Sequence, residues 1–423
     1  MLTVDENTLL THVVGDAPMG QLMRQHWIPI CLIEELPDRD GTPILIEVLG
    51  ERLVAFRDTN GRVGLLDELC PHRKASLLYG RNEDCGLRCL YHGWKFDADG
   101  QCTEMPSEPD SSALAAKVKQ PAYPTKEWGA FVWAWLGAVE DMPEFQPPAF
   151  APTADTQVSV TKIRIPANWA QIMEGQIDSS HSSSLHSSDM VPARVEGAAA
   201  DNKAWYRPST DKSPRLHVER TSYGFHYAAI RHPIKQAATH DYLRITEYIA
   251  PFTCLIPPNS SYNVTTVVVP IDNENSMFNF IAWGGTDCPS TEDWRKFNYS
   301  QPGIDLDEHW VSKRQPANRF GQDRQAMKLG NFTGVPGIPN QDIIMWVSMG
   351  AIVNRSTDRL GASDMAVVEF RKLMVDAATK VARGEAAIGT TPDTPPHRII
   401  RSYEGVHSKE IDWRTLTRDS DAA

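Results

Sequence analysis

The period of the apolar positions changes along the chain. Residues 1–26 carry a helical spacing, with Leu9, Leu10, Val13 and Val14 as its apolar positions. From about Trp27 to Trp135 the apolar runs become short and strand-like: PILIEVLG, ERLVAFRD and VGLLDEL. Asn60-Gly61 between the last two is a hairpin signal. GAFVWAWLG (129–137) predicts a closing strand, and the proline-rich stretch at 142–155 predicts a linker. Beyond it lie a strand (SVTKIRI), a helix (NWAQIMEGQID), and strands at FHYAAIRH, YLRITEYIA, YNVTTVVVPI and MFNFIAWGG. Helical patterns follow near 363–383, and the tail is polar. There is no internal repeat.

The length of 423 residues predicts two domains, or one large domain with an insertion. Hydrophobic residues at 41% and charged residues at 23% are those of a globular protein. With 42 Lys and Arg against 54 Asp and Glu, the net charge of −12 argues against a nucleic-acid footprint and against a basic patch for an anionic membrane. The start carries no secretory pattern, and no apolar run has the length of a spanning helix. A cytoplasmic chain is expected, in which the seven cysteines read as thiols or metal ligands.

Two boxes carry the first chemistry. Cys70-Pro71-His72 and Cys89-Leu90-Tyr91-His92 are separated by sixteen residues, and each pairs a soft thiolate with an imidazole. Together they give a Cys2His2 set, which suits a structural zinc or a [2Fe–2S] cluster with one all-Cys and one all-His iron. Zinc fingers usually keep cysteines together and histidines together. Here each box mixes them, and Gly93-Trp94 follows the second, so the pair resembles a Rieske cluster. The extra cysteines of the respiratory type are missing, with Ala75 and Tyr91 at their places. That leaves the ferredoxin or oxygenase type, with a low potential expected.

The second constellation is D-x2-H-x4-H, formed by Asp178, His181 and His186. On a helix Asp178 and His181 share a face, and the carboxylate then fixes the imidazole. His186 stands about 140° round from His181, so the helix must break between them. Ser182-Ser183-Ser184 is a poor helix interior and permits the break. Two histidines and a carboxylate make the facial triad of non-haem Fe(II) enzymes, with open positions for O2 and substrate. Asp342 in the helix-like run NQDIIM is the expected carboxylate, with Asp323 as its rival. The seven other histidines between His217 and His407 lack comparable partners.

Taken together, CPHR…CLYHGW, NW-x4-EG-x2-D-x2-H-x4-H and QDIIMW resemble the large (α) subunit of Rieske non-haem iron aromatic ring-hydroxylating oxygenases. The similarity covers nearly the whole chain. The lead-in and the run NRSTDRLGASDMAVVEFRKL (354–373) resemble the phthalate dioxygenase branch. Lys74 departs from it, since a small residue is common after CPHR.

The resemblance implies an α+β fold, with a Rieske β domain at 27–140 inserted into a helix-grip catalytic domain built from 1–26 and 150–423 around an antiparallel sheet. It implies one [2Fe–2S] cluster on Cys70, His72, Cys89 and His92, and one Fe(II) on His181, His186 and Asp342, with O2 as co-substrate. It also implies a head-to-tail homotrimer, sometimes stacked as a hexamer, in which Asp178 bridges His92 of one subunit to His181 of the next. An NADH-dependent reductase with flavin and iron–sulfur centres is implied as partner, since the chain lacks a dinucleotide fingerprint. Phthalate, an aromatic dicarboxylate, is the implied substrate and a cis-dihydrodiol the product. A phenoxybenzoate dioxygenase or an O-demethylase is the alternative.

A dianion needs fixed cations, and arginine matches a carboxylate best. Alternation in Tyr242–Tyr248 puts Tyr242, Arg244, Thr246 and Tyr248 on one face, so Arg244 is a candidate. Arg207 is a second, and Ser179, beside His181, is a candidate hydrogen-bond donor to the substrate. Arg215, Arg220 and Arg231 are weaker choices.

Overall fold

The computed structural model describes residues 1–109, 111–192, 205–258 and 260–417. The chain divides into two compact units: residues 13–16 with 20–145, and residues 1–12 and 17–19 with 146–423.

The smaller unit is built from three antiparallel sheets. One joins Trp27–Leu32, Phe131–Trp135 and Thr125–Trp128, so GAFVWAWLG does supply a strand, paired with the unit's first one. The second is the meander Ile44–Val48, Glu51–Arg57 and Val63–Asp67. Its second turn is the hairpin expected at Asn60-Gly61: Asp58 N donates to Arg62 O at 2.9 Å, and Gly61 sits at φ +87°, where glycine avoids a Cβ clash. The third sheet has four short strands, Arg81–Glu83, Gly86–Arg88, Lys95–Phe96 and Cys102–Glu104. Val54, Phe56, Leu66, Leu77, Leu87 and Phe96 fill the core, and Cys70 and Cys89 are buried against it.

The larger unit centres on an eight-stranded antiparallel sheet. Its spatial order is Gln157–Ile165, Ser276–Gly284, Asn263–Pro270, Thr253–Ile256, His240–Ile249, Gly224–Arg231 and Arg215–Thr221, with Tyr403–Ser408 also paired to His240–Ile249. Five of these strands match the apolar runs in the sequence. Arg215–Thr221, Thr253–Ile256 and Tyr403–Ser408 lack that signal: RLHVERT and YEGVHS alternate too weakly to stand apart from loop.

The helix Trp169–Ile177 starts where Asn168 caps it, its side chain accepting from Ala170 N at 3.0 Å. It buries Trp169, Ile172, Met173 and Ile177. It lies on the strands Thr253–Ile256 and Asn263–Pro270 and against the helices Ile338–Ser348 and Met365–Ala382. The mixture of helices with antiparallel sheets is the α+β class expected. Among the described residues no helix is long and apolar enough to cross a membrane.

Candidate metal centres and a buried cavity

The two boxes of the smaller unit form loops with matching backbone geometry. Cys70 O accepts from Lys74 N and Cys89 O from Gly93 N, at 2.9 and 3.0 Å. Cys70 N donates to Ala75 O and Cys89 N to Trp94 O, at 2.9 and 2.8 Å. Each loop thus turns through a left-handed residue, Lys74 at φ +62° and Gly93 at φ +77°. The thiols point inward and are buried, while His72 and His92 are half-buried, their ring centroids 4.4 Å apart. His72 also stacks on Trp94 at 4.4 Å and 6°, which fixes its ring plane.

The fit to a metal follows from the donor chemistry. Burial and the neighbouring Cys89 push the Cys70 thiol up to about 11, so its thiolate forms at neutral pH only beside a cation. A single tetrahedral zinc would draw all four donors to within roughly 3.5–4 Å of one another. Yet the one set of three or more donor residues within 4.8 Å among the described residues lies elsewhere, at His181, His186 and Asp342. The spread of the four Cys and His donors fits a two-iron cluster instead.

The turn geometry yields a prediction. At Gly93 a Cβ would lie 2.6 Å from Pro106 Cγ, on a backbone that already disfavours side chains. Gly93→Ala should cost roughly 1–3 kcal/mol at the loop and lower the cluster absorbance per chain. Lys74→Gly, at the equivalent position of the first loop, should keep the cluster and raise thermal stability slightly.

In the larger unit His181 Nε2 and His186 Nε2 lie 3.1 Å apart, and Asp342 Oδ1 is 3.6 and 3.2 Å from them. Adjacent donors around an octahedral ion at about 2.1 Å are separated by roughly 3 Å, so the three residues fit a facial triad. Burial opposes a charged His181, but Asp178 and Asp342 outweigh it and hold its pKa up. The group is thus set to bind a cation, either a proton or a metal. Asp323 is placed elsewhere, capping the helix Arg324–Lys328.

One expectation is corrected here. Asp178 and His181 do not share a helix face, because the helix ends at Ile177 with Asp178 as its C-cap. His181 opens a separate 3-10 turn, His181–Ser183. The two still meet, since Asp178 Oδ1 accepts from Ser180 N at 2.7 Å and its Oδ2 stands 3.4 Å from His181 Nδ1. An Asx turn, favoured in a Ser-rich segment, brings the carboxylate this close to the ring, without a hydrogen bond to His181 Nδ1. The break before His186 is as expected.

The run at 354–373 supports this site from behind. Arg355 and Arg371 both bind Glu174 on the helix Trp169–Ile177, Arg371 also reaches Asp358, and Arg355 binds Asn7 of the helix Val4–Thr11. The lead-in and the closing run therefore brace the helix that delivers Asp178. Gln341, not singled out by its sequence, accepts from His186 Nδ1 at 2.8 Å.

A cavity opens beside the triad, lined by His181, His186 and Asp342 together with Arg207, Arg244 and Ser179. Arg244 stands opposite Glu404 in the strand register and pairs with it at 2.7 Å. Burial works against its charge, but Glu404 holds its pKa up. Arg207, only 5% exposed, is different: it donates to Ser182 Oγ at 2.8 Å and touches Met190 Sδ, and it forms no ion pair among the described residues. Burial and the neighbouring Arg244 push its pKa down. Arg231, a weaker choice on sequence, is also buried, and donates to Ser179 O at 2.8 Å and to Ser179 Oγ at 3.3 Å. Ser179 thus sits between the cavity and this third guanidinium. Arg215 and Arg220 form exposed ion pairs with Asp241 and Glu369.

Comparisons with known proteins agree with this organisation. A Rieske [2Fe-2S] domain model matches residues 26–124, and a model described as LigXa C-terminal domain like matches residues 134–422. The chain is 60% identical to the phthalate 4,5-dioxygenase oxygenase subunit of Pseudomonas putida, over 98% of this chain and 94% of the relative. It is 33% identical to the 3-chlorobenzoate-3,4-dioxygenase oxygenase subunit of Comamonas testosteroni, over 98% of each. The solved structure of dicamba monooxygenase bound to dicamba has the same fold, with a TM-score of 0.57 at 16% identity over 86% of this chain and 99% of that one. With both domain models matched and a relative so similar along its whole length, the chain belongs to the Rieske non-haem iron oxygenases, in the phthalate dioxygenase branch, as an oxygenase subunit.

Proposed function

We propose that this subunit is the oxygenase component of a multicomponent aromatic dioxygenase that adds O2 to phthalate, or a closely similar aromatic dicarboxylate, to give a cis-dihydrodiol. The electrons come from NADH through a separate reductase carrying flavin and iron–sulfur centres. The observation that carries the substrate class is Arg207, a buried guanidinium without a carboxylate partner among the described residues, in the same cavity as His181, His186 and Asp342. A buried unpaired charge is costly, and an anionic ligand relieves that cost.

In this reading residues 27–140 hold the [2Fe–2S] cluster on Cys70, His72, Cys89 and His92. Residues 1–26 and 150–423 hold the Fe(II) on His181, His186 and Asp342. When bound, these groups supply electrons and O2 activation. The chain's own residues do the rest. Arg207 and Arg244 take the carboxylates, and Ser179 donates a hydrogen bond to one of them. Phe278, Phe280, Ile256 and Val264 on the cavity wall pack the ring and exclude water. Asp178 orients His181 through Nδ1. The assembly is a homotrimer or a stacked hexamer in the cytoplasm, where Asp178 also links His92 of one subunit to His181 of the next.

The test is a panel of aromatic acids with a competent reductase, scored by O2 uptake and product mass. Phthalate should give coupled uptake and a product carrying both oxygen atoms and two added hydrogens. Uptake confined to aryl ethers, with formaldehyde or a phenol released, would replace this reading with O-demethylation or phenoxybenzoate-type dioxygenation. Both chemistries occur in the names of lesser relatives.

A further inference from the structure

The helix Ile338–Ser348 carries two neighbouring residues toward the triad, Asp342 and Gln341. Gln341 is 1% exposed and reaches a different atom from its neighbour. Its Oε1 lies 2.8 Å from His186 Nδ1, on the side of the ring away from Asp342. The other end of the same amide is fixed twice: Nε2 donates to Asp189 Oδ2 at 2.8 Å and to Val335 O at 2.9 Å.

Both of those partners only accept. They therefore select the NH2 end of the amide and leave its carbonyl oxygen facing His186. A flipped amide would set that oxygen against a carboxylate and a carbonyl. An acceptor at Nδ1 in turn requires that Nδ1 carry the hydrogen. A neutral imidazole has only one, so Nε2 is left with its lone pair. Nε2 is the atom that stands 3.1 Å from His181 Nε2 and 3.2 Å from Asp342 Oδ1.

We infer that Asp189 and Gln341 act as a tautomer lock for His186: the carboxylate orients the amide, and the amide presets Nε2 as the donor to the metal. The lock closes within a short stretch of chain, since Asp189 N donates to His186 O at 3.0 Å. Asp189 therefore cannot drift from the histidine it controls. The two histidines are oriented by different means. His181 faces a carboxylate at 3.4 Å, whereas His186 is held by a neutral amide at 2.8 Å whose own orientation depends on a carboxylate one bond further out. Gln341 is a positioning residue, and its effect should appear in metal binding before any turnover.

The inference rests on the reading of His181, His186 and Asp342 as the iron site, and the experiment separates the two. The full chain, with its cluster in place and its mononuclear iron removed by a chelator, is titrated with Fe(II) alone. Wild type that takes up no Fe(II) beyond the cluster would sink the iron-site reading itself. If wild type binds, Gln341→Met, which keeps the length and removes the acceptor, should bind Fe(II) about 10–100-fold more weakly with unchanged cluster absorption. The exchange Gln341→Glu with Asp189→Asn keeps the total charge, the oxygen facing Nδ1 and a donor at position 189. It should recover affinity to within about fivefold of wild type. Wild-type affinity in Gln341→Met overturns the lock, and so does a double variant no better than Gln341→Met. Should Gln341→Met lose the cluster absorption, Asp189→Ala takes its place: a fall of about 3–10-fold supports the lock, and no change overturns it.

Discussion

Asp342→Ala should keep its cluster absorption and lose its mononuclear iron, falling from about three irons per chain to about two. Substrate-dependent O2 uptake should drop by on the order of 10³-fold. The size of the effect follows from charge as well as from ligand number. Two imidazoles alone hold Fe(II) weakly, because they supply no negative charge. The cavity adds to the problem. Arg207 and Arg244 line the same space as the triad, and Arg207 has no ion pair among the described residues. On the proposed reading Asp342 is the anion that would let a dication sit beside a guanidinium. Without it, Fe(II) would face fixed positive charge in a poorly solvated site. Asp342→Asn keeps the shape and an oxygen donor but not the charge, so it should lose nearly as much iron. Iron analysis with the absorption spectrum checks this. An Asp342→Asn variant with full iron content would show that charge does not govern the site.

The parts of this molecule that were legible in the sequence are those made by short stretches of chain. Each cluster box closes on itself within five residues, through Cys70 N to Ala75 O and Cys89 N to Trp94 O, so its spacing carries its geometry. The Asn60-Gly61 hairpin is legible for the same reason. Asp178 and His181 were expected together by helix periodicity and come together through an Asx turn instead; a span of three residues brings two side chains close by either route. What stayed hidden depends on strand register or on distant chain. Arg244 meets Glu404 only because Tyr403–Ser408 pairs with His240–Ile249, and YEGVHS carries no strong strand signal. Arg231 ranks only as a weaker choice by its sequence, and it is the fold that sets it against Ser179. Gln341 offered no signal beyond standing next to Asp342, since an amide's role depends on what faces each of its ends.

Removing either cavity arginine should weaken substrate binding, but only removal of Arg244 should weaken the fold, and this separates binding from folding. Arg207→Gln should raise the KM for an aromatic dicarboxylate by about 10²-fold, the loss of a desolvated charge-assisted pair worth about 3 kcal/mol. The ligand-free protein should be no less stable and can be more so, because the variant removes a buried charge whose pKa is already pressed down by burial and by Arg244. Its melting temperature without substrate should stay level or rise, while the stabilisation on adding substrate shrinks. Arg244→Ala should also raise KM severely and leave the cluster spectrum unchanged, but it should weaken the fold as well. It removes the guanidinium that stands 2.7 Å from the Glu404 carboxylate in a largely buried site, while the hydrogen bond from Tyr242 Oη remains. Breaking such a pair from one side costs about 3–5 kcal/mol. Adding Glu404→Gln to Arg244→Ala should restore much of that stability and little of the affinity, since the carboxylate that lost its guanidinium is neutralised but the guanidinium is not replaced. Thermal melts with and without phthalate, read beside KM, decide the matter. Equal loss of stability in Arg207→Gln and Arg244→Ala would mean that Arg207 is a structural cation, and the cavity would then lack the uncompensated charge on which its preference for a dicarboxylate depends.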